Sequence, residues 1–227
     1  QSAREVATMY LQYLDENKST NQPLSTNLFN ELQIDILSGK LKTGDKLTEK
    51  RICDEYKVSR TPVREALRQL EMDGLIENIP NKGAFVLGLS PQDIEDMHIL
   101  RKVYEVQAVK WAIERITEDE MRQLEETFEF MEFYTMKNDI NKMLNINTGF
   151  HQIIYNASHN RMLQQLLCSY QVYLKYSAET NYFAPDYLST VLGEHKAIYD
   201  AFKTNDIEAG TRAMIVHMDN SLARKFK

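Results

Sequence analysis

The most constraining feature of the sequence is a well-delimited amphipathic helix that is predicted to begin near residue 60. Pro62 stands in its first turn, where a missing backbone N–H costs little, and Gly74 lies just beyond its end. Ser59 or Thr61 is expected to cap the helix. Its apolar positions follow the spacing i, i+3, i+4, i+7, so one face is predicted to pack and the opposite face to stay in water. The apolar positions are Val63, Ala66, Leu67 and Leu70, and the water-facing positions are Arg60, Arg64 and Arg68.

Two further helices are predicted before this one, and a β-hairpin after it. The first helix covers about residues 25–38, and the second is capped by Thr48. Two short strands at 75–79 and 84–87 flank a tight turn at 80–83, which has the sequence Pro-Asn-Lys-Gly. The order helix, helix, capped helix, hairpin is that of a winged helix-turn-helix.

The distribution of charge supports a nucleic-acid partner for this segment. The chain carries 27 Lys and Arg against 33 Asp and Glu, which by itself argues against binding a polyanion. Residues 40–64, however, hold eight basic and four acidic side chains, whereas residues 89–227 hold 15 and 20. The local excess is enough to attract a polyanion, and a solvated surface is the alternative interpretation.

The predicted third helix has the side chains that reading of duplex DNA requires. A recognition helix enters the major groove with its N-terminus first, so residues 59–65 would reach the base edges. An arginine there can bind guanine O6 and N7, and hydroxyl groups suit phosphate. In the hairpin, Gly83 permits close approach of the backbone, and Lys82 can reach the minor groove or its phosphates.

After Gly88 the hydrophobic periodicity is helical throughout. Capping boxes are predicted at Ser90-Pro91-x-Asp93 and at Thr117-x-x-Glu120. Because the links are short, the helices are expected to form an antiparallel bundle. The helices are predicted at about 91–116, 118–136, 139–157, 160–181, 187–203 and 206–225.

The predicted fold is therefore mainly α, with three segments. Residues 1–22 form an N-terminal arm of no assigned role, in which a short helix at 6–14 is possible. Residues 23–88 form the winged helix-turn-helix with its β-hairpin wing, and residues 89–227 form the helical bundle.

Composition excludes several other classes of protein. Cys53 and Cys168 are the only cysteines, so a disulfide scaffold and a four-cysteine zinc site are both excluded, and the two are expected to be small buried residues. No stretch approaches the roughly 18–20 apolar residues of a membrane span, and the first residues lack the pattern of a secretion signal. The expected location is the cytoplasm.

Residues 47–87 resemble the DNA-binding domain of GntR-type bacterial transcription regulators. The resemblance rests on the run SRTPVREAL, on the following MDGLI and on the wing sequence KGAFV. Lys50 departs from the arginine more often found there, which leaves a phosphate contact possible and a bidentate contact doubtful. The DNA contacts that the resemblance implies fall on Lys50, Ser59, Arg60, Thr61, Arg64, Lys82 and Gly83.

Residues 91–219 resemble the FadR-type ligand-binding (FCD-type) domain of the same superfamily, a helical bundle that dimerises. The resemblance rests on Leu100-Arg101-x-x-x-Glu105, Asn147-x-x-x-His151, Glu194-His195-x-x-Ile198 and His217-Met218. In many members an aspartate and three histidines bind a divalent metal inside the bundle. The matching positions here are Asn147, His151, His195 and His217.

Residue chemistry supports most of this metal site independently. Asn147 and His151 are four residues apart and share a helix face, and three imidazoles with an open position suit Zn²⁺ or Ni²⁺. Asn147 is a departure from the family, because a neutral amide binds a cation less tightly than a carboxylate. Buried or surface histidines without a metal are the alternative.

The resemblance also implies a small organic acid as effector. Arg101 matches a family arginine that lines the effector cavity, although an ion pair with Glu105 is the competing interpretation. The function expected is that of a dimeric, ligand-responsive transcription regulator that binds a short inverted repeat in DNA. One alternative is the same regulator with a metal-free site for an apolar or acyl effector.

The other alternative is a metal-dependent hydrolase. It lacks a general base at suitable spacing except Glu194, which adjoins His195 and is expected to point elsewhere. The chain is therefore not expected to be an enzyme.

Overall fold

The computed structural model describes residues 23–176 and 184–225. Over these residues the chain has nine helices and three strands, and it divides at Pro91 into two compact units. The possible helix at 6–14 and the last part of the helix predicted at 160–181 lie outside the described residues. The elements are α1 (Leu24–Leu37), β1 (Lys46–Leu47), α2 (Glu49–Tyr56), α3 (Arg60–Met72), β2 (Ile76–Ile79), β3 (Gly83–Val86), α4 (Pro91–Arg115), α5 (Glu118–Met136), α6 (Ile140–Ala157), α7 (Arg161–Tyr176), α8 (Tyr187–Lys203) and α9 (Ile207–Lys225).

The first unit is a winged helix-turn-helix, which confirms the predicted fold class. Its sheet has three antiparallel strands in the order β1-β3-β2. Phe85, in the central strand β3, pairs with Lys46 of β1 on one side and with Glu77 of β2 on the other. The sequence predicts only the two strands of the hairpin. Since β1 is two residues long, it has no alternating pattern that could reveal it. The apolar core of this unit includes Leu32, Ile52, Val63, Leu70, Leu75, Ile76 and Val86.

The caps of α2 and α3 differ for a clear reason. The Thr48 side chain caps α2 as predicted, accepting a hydrogen bond from the backbone N–H of Arg51 at 3.3 Å. Ser59 occupies the N-cap position of α3, but its side chain makes no capping hydrogen bond. A capping side chain bonds the N–H of the second or third helical residue, and the third residue here is Pro62, which has none. The predicted side-chain cap is therefore wrong, although the helix starts where expected.

The second unit is an all-helical bundle, as predicted, in which α5 packs against α6 and α8 against α9. Thr117 and Glu120 form the predicted capping box at the start of α5, with both reciprocal hydrogen bonds present. Phe150, Ile154 and Tyr155 of α6 are fully buried, which places α6 in the core. The side chains that α6 directs toward the neighbouring helices therefore have little access to water.

The structure also describes the surroundings of both cysteines and the hydropathy of the helices. Cys53 and Cys168 are free thiols, but both are only half-buried, so they were wrongly expected to be buried core residues. Among the helices that the structure describes, no helix is long and apolar enough to cross a membrane.

Candidate DNA-binding surface and histidine site

The N-terminal half of α3 presents a polar face to solvent. Its opposite face is buried through Pro62, Val63, Ala66, Leu67 and Leu70, which fixes the helix against the rest of the first unit. All seven residues predicted to contact DNA are exposed, and we call them the recognition surface: Lys50, Ser59, Arg60, Thr61, Arg64, Lys82 and Gly83. Exposure leaves each of them able to meet a ligand as large as duplex DNA.

An acidic residue that sequence reasoning missed holds one of these arginines. The Nε of Arg64 donates to Oε1 of Glu49 at 2.7 Å, which joins α3 to the first turn of α2. The hydrogen bond from Arg64 lowers the pKa of the Glu49 carboxyl, so Glu49 is ionised at neutral pH. Because the bond uses Nε, the two Nη groups of Arg64 are left for other partners. Glu49 thus constrains the direction of the guanidinium group.

The wing turn needs a glycine where the sequence has one. Asn81 and Gly83 both have positive φ, 62° and 103° respectively. A Cβ atom on Gly83 would also lie 3.2 Å from Cε of Lys46. The left-handed backbone and the close approach of Lys46 both favour glycine at this position.

Three histidines from three helices converge inside the second unit. His151 lies on α6, His195 on α8 and His217 on α9, and all three are buried. One ring nitrogen from each lies within 4.8 Å of the other two. The Nε2 atoms of His151 and His217 are 3.2 Å apart. Two imidazole nitrogens bound tetrahedrally to one ion at about 2.0–2.1 Å would be roughly 3.3 Å apart.

The other ring nitrogen of each histidine is held by an acceptor. Nδ1 of His151 lies 3.2 Å from Oε2 of Glu105, and Nδ1 of His217 lies 2.8 Å from Oε2 of Glu194. Nδ1 of His195 lies 2.8 Å from the backbone carbonyl oxygen of Val191. Since these partners only accept, each Nδ1 is placed to donate, and in a neutral imidazole that tautomer leaves the lone pair of Nε2 for a metal. This arrangement of supporting groups is typical of histidines that bind metals.

Two buried polar atoms on the helices that carry these histidines have no hydrogen-bond partner in the described part of the chain. They are Nε2 of His195 and Oδ1 of Asn147. Buried polar atoms are nearly always paired, and two neutral Nε2 atoms facing each other repel unless something positive lies between them. The residues present therefore fit a divalent cation: three imidazole nitrogens, with an amide oxygen one helical turn before His151.

The protonation states also favour cation binding. Burial lowers the pKa of His217 to about 4 despite the nearby Glu194, and burial lowers the pKa of His195 well below its usual range. Burial alone would raise the pKa of Glu105. The effects of His151 and Arg101 are larger than that of burial, and they lower this pKa to about 2. His195 and His217 are thus neutral at neutral pH, while Glu105 is charged.

Each supporting carboxylate is itself paired with an arginine. Arg101 donates to Oε1 of Glu105 from Nε at 3.0 Å and from Nη2 at 2.8 Å, and the Tyr155 hydroxyl donates to the same oxygen. Arg224 donates to the two oxygens of Glu194 at 2.7 and 2.9 Å. In each pair the charges of the carboxylate and the guanidinium cancel. These two pairs, which lie behind the histidines, therefore add no net charge to the site.

These contacts bear on two of the sequence expectations. Arg101 forms the ion pair with Glu105 that its spacing of four residues indicates, and its contact with an effector stays a prediction. Glu194 was wrongly expected to point away from the site, because its carboxylate meets His217. Bonded to His217, Asn220 and Arg224, Glu194 is not placed to act as the general base of a hydrolase.

Comparisons with known proteins agree with both units. Residues 24–86 match the family of bacterial regulatory proteins named gntR, and residues 96–220 match the FCD domain. The HTH-type regulator YdhC of Bacillus subtilis (strain 168), itself uncharacterized, is 29% identical over 87% of this chain and 89% of its own length. The HTH-type transcriptional repressor RspR of Escherichia coli (strain K12) is 26% identical over 87% and 86%. The solved structure of E. coli McbR/YncC has a TM-score of 0.70 at 23% identity and covers 90% of this chain and 98% of that one.

A winged helix-turn-helix followed by a helical domain with a buried histidine cluster defines a class of two-domain DNA-binding regulator. The chain belongs to the gntR family of bacterial regulatory proteins and carries a C-terminal FCD domain. It is a DNA-binding transcription regulator and not an enzyme, which confirms both predictions.

Proposed function

We propose that this regulator is a homodimer of the FadR type that binds a short inverted repeat in duplex DNA. In this proposal a divalent metal, Zn²⁺ or Ni²⁺, and a small organic acid in the helical domain control the affinity for DNA. The observation that carries the metal part of the proposal is the convergence of three buried imidazoles, each with its Nδ1 atom held by an acceptor.

The DNA-binding part of the proposal is supported by the exposed recognition surface. Arg60 and Arg64 lie in the first two turns of α3, the part of a recognition helix that reaches base edges. Lys50, Lys82 and the backbone at Gly83 are proposed to contact phosphates or the minor groove. A two-fold symmetric dimer would present two such helices, so the operator is proposed to be an inverted repeat.

The effector part of the proposal is supported by the polar lining of the histidine site. A bound divalent ion would supply the positive charge that attracts a carboxylate. Asn147, His151, His195 and His217 are the proposed ligands of that ion. Arg101 is the proposed second contact for the acid, through the Nη1 group that its bonds to Glu105 do not use. An effector changes DNA affinity only by the difference between its affinities for the two DNA-binding states.

The DNA contacts can be tested with single-arginine variants. The operator is first isolated from a random duplex pool by selection with the full-length protein. Arg60→Ala and Arg64→Ala are each expected to lose about 5–150-fold in affinity for this operator, because a bidentate base contact contributes about 1–3 kcal/mol. Weak, salt-sensitive binding to a scrambled duplex should remain.

The matched control for these variants is Arg122→Ala, which removes an exposed arginine from the helical bundle. It should bind operator like the wild type. If Arg60→Ala and Arg64→Ala keep the wild-type preference for operator over scrambled DNA, α3 is not the recognition helix.

The metal site can be tested by elemental analysis of the purified protein together with His151→Ala. The wild-type protein is expected to contain metal. The His151→Ala protein is expected to contain none, because the substitution removes a buried ligand. His159→Ala is the control, since that histidine is partly exposed and bonded to Glu120 rather than to the site. A metal-free wild type, with effector binding unchanged in His151→Ala, would contradict the proposal. A co-purified apolar or acyl ligand in such protein would favour the metal-free alternative.

A further inference from the structure

The donors that surround the proposed metal position carry no net charge. An imidazole binds a cation as a neutral ring, here through the nitrogen opposite an Nδ1 that is held by an acceptor, and Asn147 offers an amide oxygen. The nearest carboxylates, Glu105 and Glu194, stand one layer behind, where they bond the Nδ1 atoms of His151 and His217. The innermost layer therefore has nitrogen donors and a single neutral oxygen donor.

The two carboxylates are held in that outer layer. Glu105 is completely buried, and its carboxylate is hydrogen-bonded to Arg101, Tyr155 and His151. Glu194 receives four hydrogen bonds from the side chains of α9, given by His217, Asn220 and Arg224. For either carboxylate to turn inward and bind an ion, several charge-assisted bonds would have to break. Neither is available to serve an ion that prefers charged oxygen ligands.

We infer that Asn147 sets the metal selectivity of the histidine site. Its amide oxygen lets the site hold imidazole-preferring ions such as Zn²⁺, Ni²⁺ and Co²⁺, while oxygen-preferring ions such as Mn²⁺ and Mg²⁺ find no carboxylate to bind. This inference rests on the metal site proposed above. Imidazole suits the first group of ions, whereas carboxylate, carbonyl and water suit the second.

The deciding quantity is a ratio of affinities and not an affinity alone. Nearly any site made of nitrogen and oxygen donors binds Zn²⁺ more tightly than Mn²⁺, so the preference of the wild type proves little. A carboxylate at position 147 would add one negative charge next to the ion. Mn²⁺ gains relatively more from that charge, because it draws less stabilisation from the three imidazoles.

The test uses Asn147→Asp, which changes one NH₂ group to oxygen and is almost isosteric. Dissociation constants for Zn²⁺ and for Mn²⁺ are measured on full-length, chelator-stripped protein by competition with calibrated chelators. We expect the ratio of Zn²⁺ affinity to Mn²⁺ affinity to fall at least about tenfold in the variant, given the preference of Mn²⁺ for carboxylate.

The control is Glu194→Gln, which weakens the support of His217 without changing the inner donors. It should lower both affinities by a similar factor, about 10–100-fold, and leave their ratio unchanged. If circular dichroism shows that Asn147→Asp does not fold, Asn147→Glu adds the same charge and should shift the ratio in the same direction.

The outcomes separate the inference from the proposal beneath it. A folded Asn147→Asp protein with the wild-type ratio overturns the inference and leaves the metal site in place. A wild-type protein that binds neither ion overturns the metal site itself. A shift of the same size in Glu194→Gln would assign selectivity to the outer layer and overturn the role of Asn147.

Discussion

At the scale of single residues, the bond between Glu49 and Arg64 makes a prediction about DNA selectivity. Both side chains are exposed, and exposed ion pairs contribute little to stability. The effect of this pair is to limit the directions in which the Arg64 guanidinium points. We expect Glu49→Gln to reduce the preference for operator over scrambled DNA, by less than Arg64→Ala does, with the melting temperature nearly unchanged.

Fluorescence anisotropy titrations of the two duplexes measure this preference. Glu55→Gln is a suitable control, because Glu55 lies on the same helix and pairs with Arg51 instead. A Glu49→Gln protein that discriminates as well as the wild type would show that Arg64 needs no positioning partner.

The residues of the histidine site differ in how well the sequence predicts them. His151, His195 and His217 could be nominated from the sequence because each stands in a motif that resembles a known family. The roles of Glu105 and Glu194 could not, since they depend on which helices meet. Glu194 and His195 do face different directions on α8, as adjacent helical residues must. The missing fact was that α9 places His217 with its Nδ1 on Glu194 and its ring beside that of His195.

At the scale of secondary-structure elements, the capping box of α5 makes a prediction about stability and pH. The Glu120 carboxylate accepts bonds from the backbone N–H and the hydroxyl of Thr117, and His159 lies beside it. Burial would raise the pKa of Glu120, but these hydrogen bonds outweigh it and lower the pKa. A carboxyl whose pKa is lowered by folding adds stability above its unfolded pKa of about 4.3 and loses it as pH falls further.

Glu120→Ala should therefore destabilise the protein by about 0.5–2 kcal/mol at pH 7, the range measured for helix caps. The difference from the wild type should shrink as pH falls below about 4.3. Chemical denaturation at several pH values measures it, with Glu118→Ala in the same helical turn as control. A difference that is constant down to pH 3 would contradict the ionised cap.

The helices were more predictable than the strands for physical reasons. A helix of four or more turns repeats its apolar spacing several times and is bounded by caps such as Thr117 and Asp139, both of which accept bonds from the first turn. Strand β1 forms only because β3 offers it a partner, and two residues carry no periodic signal. The side-chain cap expected at Ser59 fails because of Pro62, a conflict that the sequence already contained.

At the scale of the whole molecule, the net charge of the chain is negative, whereas the charge of its recognition surface is positive. The chain has a formal net charge of −6, yet its recognition surface carries Lys50, Arg60, Arg64 and Lys82. DNA responds to the charges that it meets, so a net acidic regulator can bind phosphate through one basic face. The acidic residues are concentrated in the helical domain, where several of them support the histidine site or cap helices.

In the proposed complex, two copies of this chain, each holding one metal ion, bind one operator. Native mass spectrometry of the full-length protein with its selected operator measures all three stoichiometries at once. We expect a complex of two chains, two divalent ions and one duplex, with the ions lost in His151→Ala. A wild-type complex whose mass leaves no room for metal, or which contains a single chain, would contradict it.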